Sequence, residues 1–127
     1  MRSMNPWVRW AALLAGLAVV FGAFGAHALR DRVPASDLEI WRTGAFYHLV
    51  HAIAMMALAL HARAPRITLI LWTLGIIVFS GSLYTLVLSG TRAWGAITPL
   101  GGLCLIAGWL RLAWPAKSPD HPDESRS

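Results

Sequence analysis

Four stretches without a charged residue organise this sequence, at residues 10–27, 45–60, 67–91 and 93–110. A helix needs roughly 20 predominantly apolar residues to cross the hydrocarbon core of a bilayer. Three of the stretches meet that length, and the second meets it when it is counted from residue 40 to 61. The pattern therefore predicts four transmembrane helices, with spans of about 8–29, 43–61, 67–88 and 94–114.

The composition places these helices in a membrane rather than in a soluble domain. Hydrophobic residues make up 57% of the chain and charged residues 13%, whereas a soluble domain carries about 25% charged residues. Short connections after the second and third spans predict antiparallel neighbours. We expect an all-α integral membrane protein, an antiparallel bundle formed by residues 1–115, and a disordered polar tail at 116–127.

The polar segment before the second span predicts one further short helix. Pro34 interrupts any continuous helix, and Ser36 followed by Glu39 fits a capping box. A helix starting near Ser36 would place Trp41 at the membrane surface as an interfacial anchor. We therefore expect a short interfacial helix before the second span. The other tryptophans also fall mostly near span ends, and we predict no aromatic cage among them.

The distribution of positive charge predicts the orientation. The N-terminus, the second loop and the C-terminal tail carry seven lysines and arginines, and the first and third loops carry four. Positive residues favour the cytoplasmic side, so both termini should be cytoplasmic. The net charge of +5 does not indicate nucleic-acid binding, because the arginines lie in short loops and tails rather than on one basic face.

The N-terminal segment also has the order of a secretory signal peptide. Arg2 and Arg9 precede an apolar run that ends in the small-x-small sequence of residues 26–28. The apolar run is long for a signal peptide and long enough to span a bilayer. We interpret it as the first transmembrane helix.

Histidine and tyrosine side chains in the first two spans form the candidate site. His27 ends the first span, and Tyr47, His48 and His51 share one broad face near the start of the second. One interpretation is that these groups only hydrogen-bond neighbouring helices. The other is a membrane-embedded ligand site for a metal, haem, quinone or lipid, or a proton relay. The side chains expected to approach them are Ser80, Ser82, Tyr84 and Thr98.

Glycines suggest where helices approach closely. Gly22 and Gly25 in the first span, and Gly101 and Gly102 after Pro99 in the fourth, offer grooves for neighbouring helices. These grooves fit internal packing, or docking of a membrane protein partner or a second copy of the chain. Cys104 is the only cysteine, so no intrachain disulfide can form, and we expect it to serve in packing.

Motifs in all four spans resemble one known family. They are Gly-Ala-Phe-Gly-Ala-His, Tyr-His-x-x-His-Ala, Phe-Ser-Gly-Ser-x-Tyr, Thr-Pro-x-Gly-Gly and Gly-Trp, at residues 22–27, 47–52, 79–84, 98–102 and 108–109. In this order they resemble domain of unknown function family 423, the YgdD-like and transmembrane protein 256-like small inner-membrane proteins. The resemblance implies a four-span fold and a location in the bacterial inner membrane, and it assigns no enzymatic activity because the family has no settled biochemical function.

The sequence as a whole favours a non-enzymatic, accessory or structural membrane component that acts through partner contacts. Its surroundings are the lipid bilayer, with a protein partner or a homo-oligomer as further possibilities and no nucleic acid. The alternative is the ligand site on His27, His48, His51 and Tyr47. We predict no resident metal or cofactor and no catalytic residue. A transporter ranks third, because four spans could form one only as an oligomer and charged residues occur only near the ends of the spans.

Overall fold

The computed structural model describes residues 4–114, which are helical and contain no strand. We label the helices α1 (Pro6–His27), α2 (Ala35–Ala59), α3 (Arg66–Ser89) and α4 (Thr98–Ala113). A π-helical turn, Ile76–Ser80, interrupts α3, and a 3-10 turn, Arg92–Ala96, precedes α4. The predicted disordered tail, residues 116–127, lies outside the described residues.

Local sequence sets the helix ends. The Asn5 side chain caps α1 by accepting a hydrogen bond from the Trp7 backbone N–H at 3.0 Å, and Pro6 opens the helix. The Asn5 amide also donates to the Ala59 carbonyl at 3.0 Å, which joins the start of α1 to the end of α2. At the end of α3, Gly90 adopts a left-handed conformation with φ of 69°, which glycine tolerates best.

The segment before the second span differs from the prediction. A helix begins at Ala35, close to the expected Ser36, but it continues unbroken to Ala59. Ser36 is not its cap, because the Pro34 carbonyl instead accepts the N–H groups of Asp37 and Leu38, both at 3.0 Å. The expected capping box is therefore wrong. No separate short helix precedes α2, whose first two turns carry the charged residues instead.

Helices α2 and α3 form the centre of an antiparallel arrangement, with α1 packed on α2 and α4 packed on α3. Side chains fix each pairing. The Trp41 indole donates to the Phe21 carbonyl at 2.7 Å, and the Trp72 indole donates to the Leu105 carbonyl at 3.2 Å. The bundle therefore has two ends: α1 and α3 begin at one, and α2 and α4 begin at the other.

Two apolar clusters fill the interior, one near each end. The cluster nearer the start of α1 consists of Ala11, Leu14, Ala52, Met55, Leu69, Trp72, Ile76 and Leu105. The other consists of Leu29, Leu38, Trp41, Ala45, Tyr84, Leu86 and Val87. The polar side chains of the candidate site lie at and between these clusters.

The outer surface of the bundle is apolar. Large hydrophobic side chains on all four helices are exposed, among them Leu13, Ile53, Ile77 and Leu103. Three helical segments are long and apolar enough to cross a membrane: Pro6–His27, Arg66–Ser89 and Arg92–Ala113. They correspond closely to three of the four predicted spans. The remaining helix, α2, carries three charged residues in its first two turns and two buried histidines.

Candidate functional site

His51 uses both ring nitrogens within the bundle. It is only 4% exposed. The Tyr47 carbonyl can only accept, so the Nδ1–H of His51 donates to it at 2.8 Å. The Trp109 indole N–H can only donate, so Nε2 of His51 accepts it at 2.9 Å. The two partners therefore fix His51 as the neutral, Nδ1-protonated tautomer and occupy the nitrogens that a metal or proton relay would use.

His48 is more deeply buried and has one partner. It is 2% exposed, and its Nδ1 lies 3.1 Å from the Tyr84 hydroxyl on α3. The Phe21 ring of α1 packs against both, with centroids 6.2 Å from His48 and 4.6 Å from Tyr84. Among the described residues, Nε2 of His48 has no hydrogen-bond partner. This orphaned nitrogen is enclosed by protein.

His27 does not join the other two histidines. It is exposed at the last residue of α1, whereas His48 and His51 lie inside the bundle, four and five turns into α2. The expectation of a three-histidine site is therefore not met. The cause is the continuous α2 helix, whose start at Ala35 carries His48 and His51 deeper into the bundle than the end of α1.

The hydroxyl groups form separate pairs rather than one ring around the histidines. Ser80 donates to the Gly44 carbonyl at 2.7 Å. The hydroxyls of Ser82 and Thr98 lie 2.6 Å apart and join α3 to the start of α4. Of the four predicted partners, only Tyr84 reaches a histidine. Each pair connects two helices, as interhelical polar contacts in membrane proteins commonly do.

A pair of hydroxyl deletions tests how much these contacts stabilise the fold. Ser80 and Thr68 are both fully buried, but the Thr68 hydroxyl has no partner among the described residues. We expect Ser80→Ala to lower the free energy of unfolding by about 1 kcal/mol. We expect the matched Thr68→Val to leave it unchanged or raise it, because it removes a polar group that makes no bond. Thermal unfolding in one detergent measures both. Equal losses of stability in the two variants would contradict a stabilising hydrogen bond from the Ser80 hydroxyl to α2.

Two tryptophans are core residues rather than the expected interfacial anchors. Trp41 and Trp72 are each 1% exposed, and each indole N–H donates to a backbone carbonyl on the neighbouring helix. The two rings lie on Gly25 and Gly108, where an added Cβ would overlap them. The sequence missed this because tryptophan near a span end suits both the interface and a glycine-lined groove.

Only some of the predicted glycines allow close packing. A Cβ on Gly25 would come within 2.7 Å of Trp41 Nε1, and one on Gly101 within 2.7 Å of the Phe79 Cα. Gly22 has no atom within 4 Å of that position, and Gly102 would make ordinary contacts at 3.7 Å. Gly25 and Gly101 are therefore close-packing positions. Gly22 is open to the surroundings, and Pro99 lies in the first turn of α4.

An ion pair that the sequence did not predict joins α2 to the turn before α4. Arg92 Nη2 donates to Asp37 Oδ1 at 2.7 Å, across 55 positions of sequence. The Asp37 side chain is 8% exposed and that of Arg92 is 61% exposed. The sequence signal that could have found this pair is a lone acid in a helix's first turn and a lone arginine in a tight turn at the same end of the bundle.

Removing the arginine should destabilise the fold because it leaves a buried carboxylate without its partner. We expect Arg92→Gln to lower the free energy of unfolding by about 1 kcal/mol, a discounted value because Arg92 is largely exposed and screened. The loss should shrink as salt rises. Arg32→Gln, at an exposed loop residue of the same end, is the control. Thermal unfolding of both variants at low and high salt measures the effect. A loss of stability in Arg92→Gln that does not depend on salt would contradict a stabilising Arg92–Asp37 ion pair.

Aromatic rings line a groove between α2 and α4, which faces outward and has a volume of about 320 Å³. Tyr47 and Phe79 pack with centroids 5.0 Å apart, and Tyr47 stacks on His51 at 6.3 Å. The remaining wall comes from Trp109 and from Gly102, which leaves room for a flat group. Within residues 4–114, no three histidine, cysteine or acidic side chains come together as a metal site.

Comparison with known proteins places the chain among membrane proteins of unknown function. The family described as "Protein of unknown function (DUF423)" matches residues 21–102. UPF0382 membrane protein YwdK of Bacillus subtilis is 39% identical over 115 residues, covering 86% of this chain and 94% of that protein. UPF0382 inner membrane protein YgdD of Escherichia coli is 39% identical over 106 residues, covering 79% and 80%. A Haemophilus influenzae UPF0382 membrane protein is 37% identical over 114 residues. No solved structure matches.

Proposed function

Because the chain belongs to the DUF423 family of membrane proteins, we propose that it is a four-span, non-enzymatic component of the bacterial plasma membrane. In this proposal all four helices cross the bilayer, and the protein acts through contacts with other membrane proteins. The name of the relative YgdD as an inner membrane protein supports the location.

The fourth crossing is α2, and its packing supports it. Helix α2 is 25 residues long, enough to span a bilayer when part of it lies in the headgroup region. Its first two turns hold Asp37, Glu39 and Arg42, and Asp37 pairs with Arg92. We propose that these turns lie at the membrane surface. The two histidines farther along α2 face the protein interior, where their polar groups are shielded from lipid.

The proposed orientation has both termini in the cytoplasm. Over the whole sequence, the N-terminus, the loop between α2 and α3 and the C-terminal tail carry seven lysines and arginines, and the other two loops carry four. Because lysine and arginine are enriched in cytoplasmic loops, the positive-inside rule favours the cytoplasm for the end where α1 and α3 begin.

Cysteine labelling tests the crossing and the orientation together. In a Cys104→Ser background, Arg32→Cys and Ala62→Cys place single thiols on either side of α2. In intact cells, a membrane-impermeant maleimide should label Arg32→Cys and reach Ala62→Cys only after the cells are opened. Labelling of both thiols in intact cells would refute the crossing. The reverse pattern would overturn the orientation.

One observation supports a non-catalytic role above the others, namely the pair of hydrogen bonds that occupy His51. A histidine that serves in catalysis or metal binding needs a free nitrogen, and His51 has none. The remaining polar side chains of the spans mostly bond to neighbouring helices. Apart from Nε2 of His48 and the Thr68 hydroxyl, which are enclosed by protein and have no partner among the described residues, the polar interior serves to hold the helices together.

Native mass spectrometry of the protein in the mildest workable detergent tests this role. We expect one chain, two copies or a complex with another protein subunit, and no stoichiometric metal, haem or quinone. A bound cofactor mass that His51→Gln removes while the unfolding temperature persists would refute the proposal. Release of a protein subunit in tandem mass spectra would identify the partner.

The second candidate function is a ligand site at the aromatic groove, and the exposure of Tyr47 favours it. Its ring is 41% exposed beside Phe79 and Trp109, and rings of this kind bind flat aromatic groups. A lipid-soluble quinone is the ligand class that this site fits. Addition of a short-chain quinone should quench tryptophan fluorescence, and Trp109→Phe should remove that response. No difference between the variant and the parent would exclude the groove.

A further inference from the structure

A second groove lies between the beginnings of α1 and α3. It has a volume of about 500 Å³ and is almost entirely apolar. Pro6, Trp7 and Trp10 form the α1 wall, and Ile70, Thr73 and Leu74 form the α3 wall. The two helices make few direct contacts with each other. A space of this kind in a bilayer is filled by hydrocarbon.

One hydrogen bond defines the floor of this groove. The Trp10 indole donates to the Thr73 hydroxyl at 3.1 Å, and Thr73 donates in turn to the Leu69 carbonyl at 2.8 Å. The polar atoms of the groove are therefore already paired with each other. What remains open to an occupant is apolar surface, which suits an acyl chain rather than a polar ligand.

The charges at this end of the bundle are of one sign. Arg9, Arg63, Arg66 and Arg111 lie here, and no acidic residue does within residues 4–114. Acidic residues of the described chain, Asp31, Asp37 and Glu39, all lie at the opposite end. Arg66 is exposed and lies one helical turn before Ile70 on the same face of α3. Its long side chain can extend to the headgroup level above the groove.

We propose that the α1–α3 groove is a binding site for one anionic phospholipid. An acyl chain occupies the apolar groove between Trp10 and Ile70, and the phosphate of the headgroup pairs with the Arg66 guanidinium. Trp7 and Trp10 lie at the depth where tryptophan contacts the headgroup boundary. Basic pockets between transmembrane helices recognise anionic headgroups in this way. The bound lipid completes the packing of α1 against α3.

Competition between two lipids tests the headgroup. The purified full chain is incubated with equal amounts of phosphatidylglycerol and phosphatidylethanolamine of the same acyl composition, and retained lipid is counted by native mass spectrometry. We expect the first bound lipid to be phosphatidylglycerol by about fivefold, the preference that one arginine near a membrane surface provides. Arg66→Gln should abolish that preference. Arg30→Gln, the same charge change at the opposite end, should preserve it.

A second variant tests the groove. Ile70→Trp adds bulk to the exposed α3 wall, and we expect it to remove the first bound lipid of either class, while the delipidated variant unfolds at the same temperature as the delipidated parent. Equal retention of the two lipids by the parent chain would overturn the anionic ligand. So would identical behaviour of Arg66→Gln and Arg30→Gln. Full retention by Ile70→Trp would overturn the groove, and if that variant does not fold, Leu74→Trp replaces it.

Discussion

Gly101→Ala should destabilise the bundle more than any other single methyl group added to α4. Its new Cβ would overlap the Phe79 backbone nitrogen and approach Phe79 Cα to 2.7 Å. Backbone cannot rotate away as a side chain can, so α3 and α4 must separate. The expected loss in the free energy of unfolding is about 3 kcal/mol, the upper part of the range for overpacking. Thermal unfolding in detergent and the amount of protein inserted in membranes both report it.

The neighbouring glycine is the matched control. Gly102→Ala makes the same chemical change one residue later, where the added Cβ would lie 3.7 Å from the Phe79 ring, an ordinary contact. Because alanine also favours helix over glycine, we expect Gly102→Ala to be neutral or stabilising by about 0.5 kcal/mol. Equal losses in the two variants would contradict the close approach of α3 and α4 at Gly101.

The position of Gly101 explains why the π-helical turn was not predicted. Ile76–Ser80 lies where α3 meets Gly44 of α2 on one side and Gly101 of α4 on the other. Each glycine lets a backbone approach, and the extra residue in the turn accommodates both contacts. The sequence around the turn contains no charged residue and no proline that would mark an interruption of the helix. The cause is long-range packing, which periodicity within α3 cannot reveal.

The helices themselves were predictable because lipid imposes one simple rule on sequence. Backbone polar groups must be bonded within a span, so a long uncharged run becomes a helix. This held for α1, α3 and α4. The rule failed at the start of α2, where the charges of Asp37, Glu39 and Arg42 led us to predict a separate surface helix. One of these charges, on Asp37, pairs with Arg92 from a distant turn, and this pairing can be inferred only after both segments have been placed at the same end of the bundle.

The sequence named side chains of the candidate site but could not determine their contacts. It placed Tyr47, His48 and His51 close together on α2, and in the structure Tyr47 and His51 line the aromatic groove, whereas His48 lies against Tyr84. It could not assign partners, because Trp109 is 58 positions from His51 and was expected at the interface. It also could not exclude His27, because the depth of His48 and His51 relative to His27 depends on where α2 begins. Partner choice is set by the packing of whole helices, which residue types alone do not determine.

His51→Leu should separate the structural role of this histidine from a ligand role. Leucine keeps most of the volume but offers no acceptor, so the Trp109 indole N–H and the Tyr47 carbonyl both lose their bond. We expect the free energy of unfolding to fall by about 2 kcal/mol, which combines a lost interhelical bond with an orphaned donor.

Trp109→Phe in the His51→Leu background completes the test, because it removes the orphaned donor. If the His51–Trp109 bond holds α2 to α4, the second change should cost less in this background than in the parent chain. The coupling should be about 1 kcal/mol in a double-mutant cycle of thermal unfolding. Strictly additive losses would show that the His51–Trp109 bond contributes nothing to stability. A coupling of the expected size would make His51 a stabilising connection between α2 and α4.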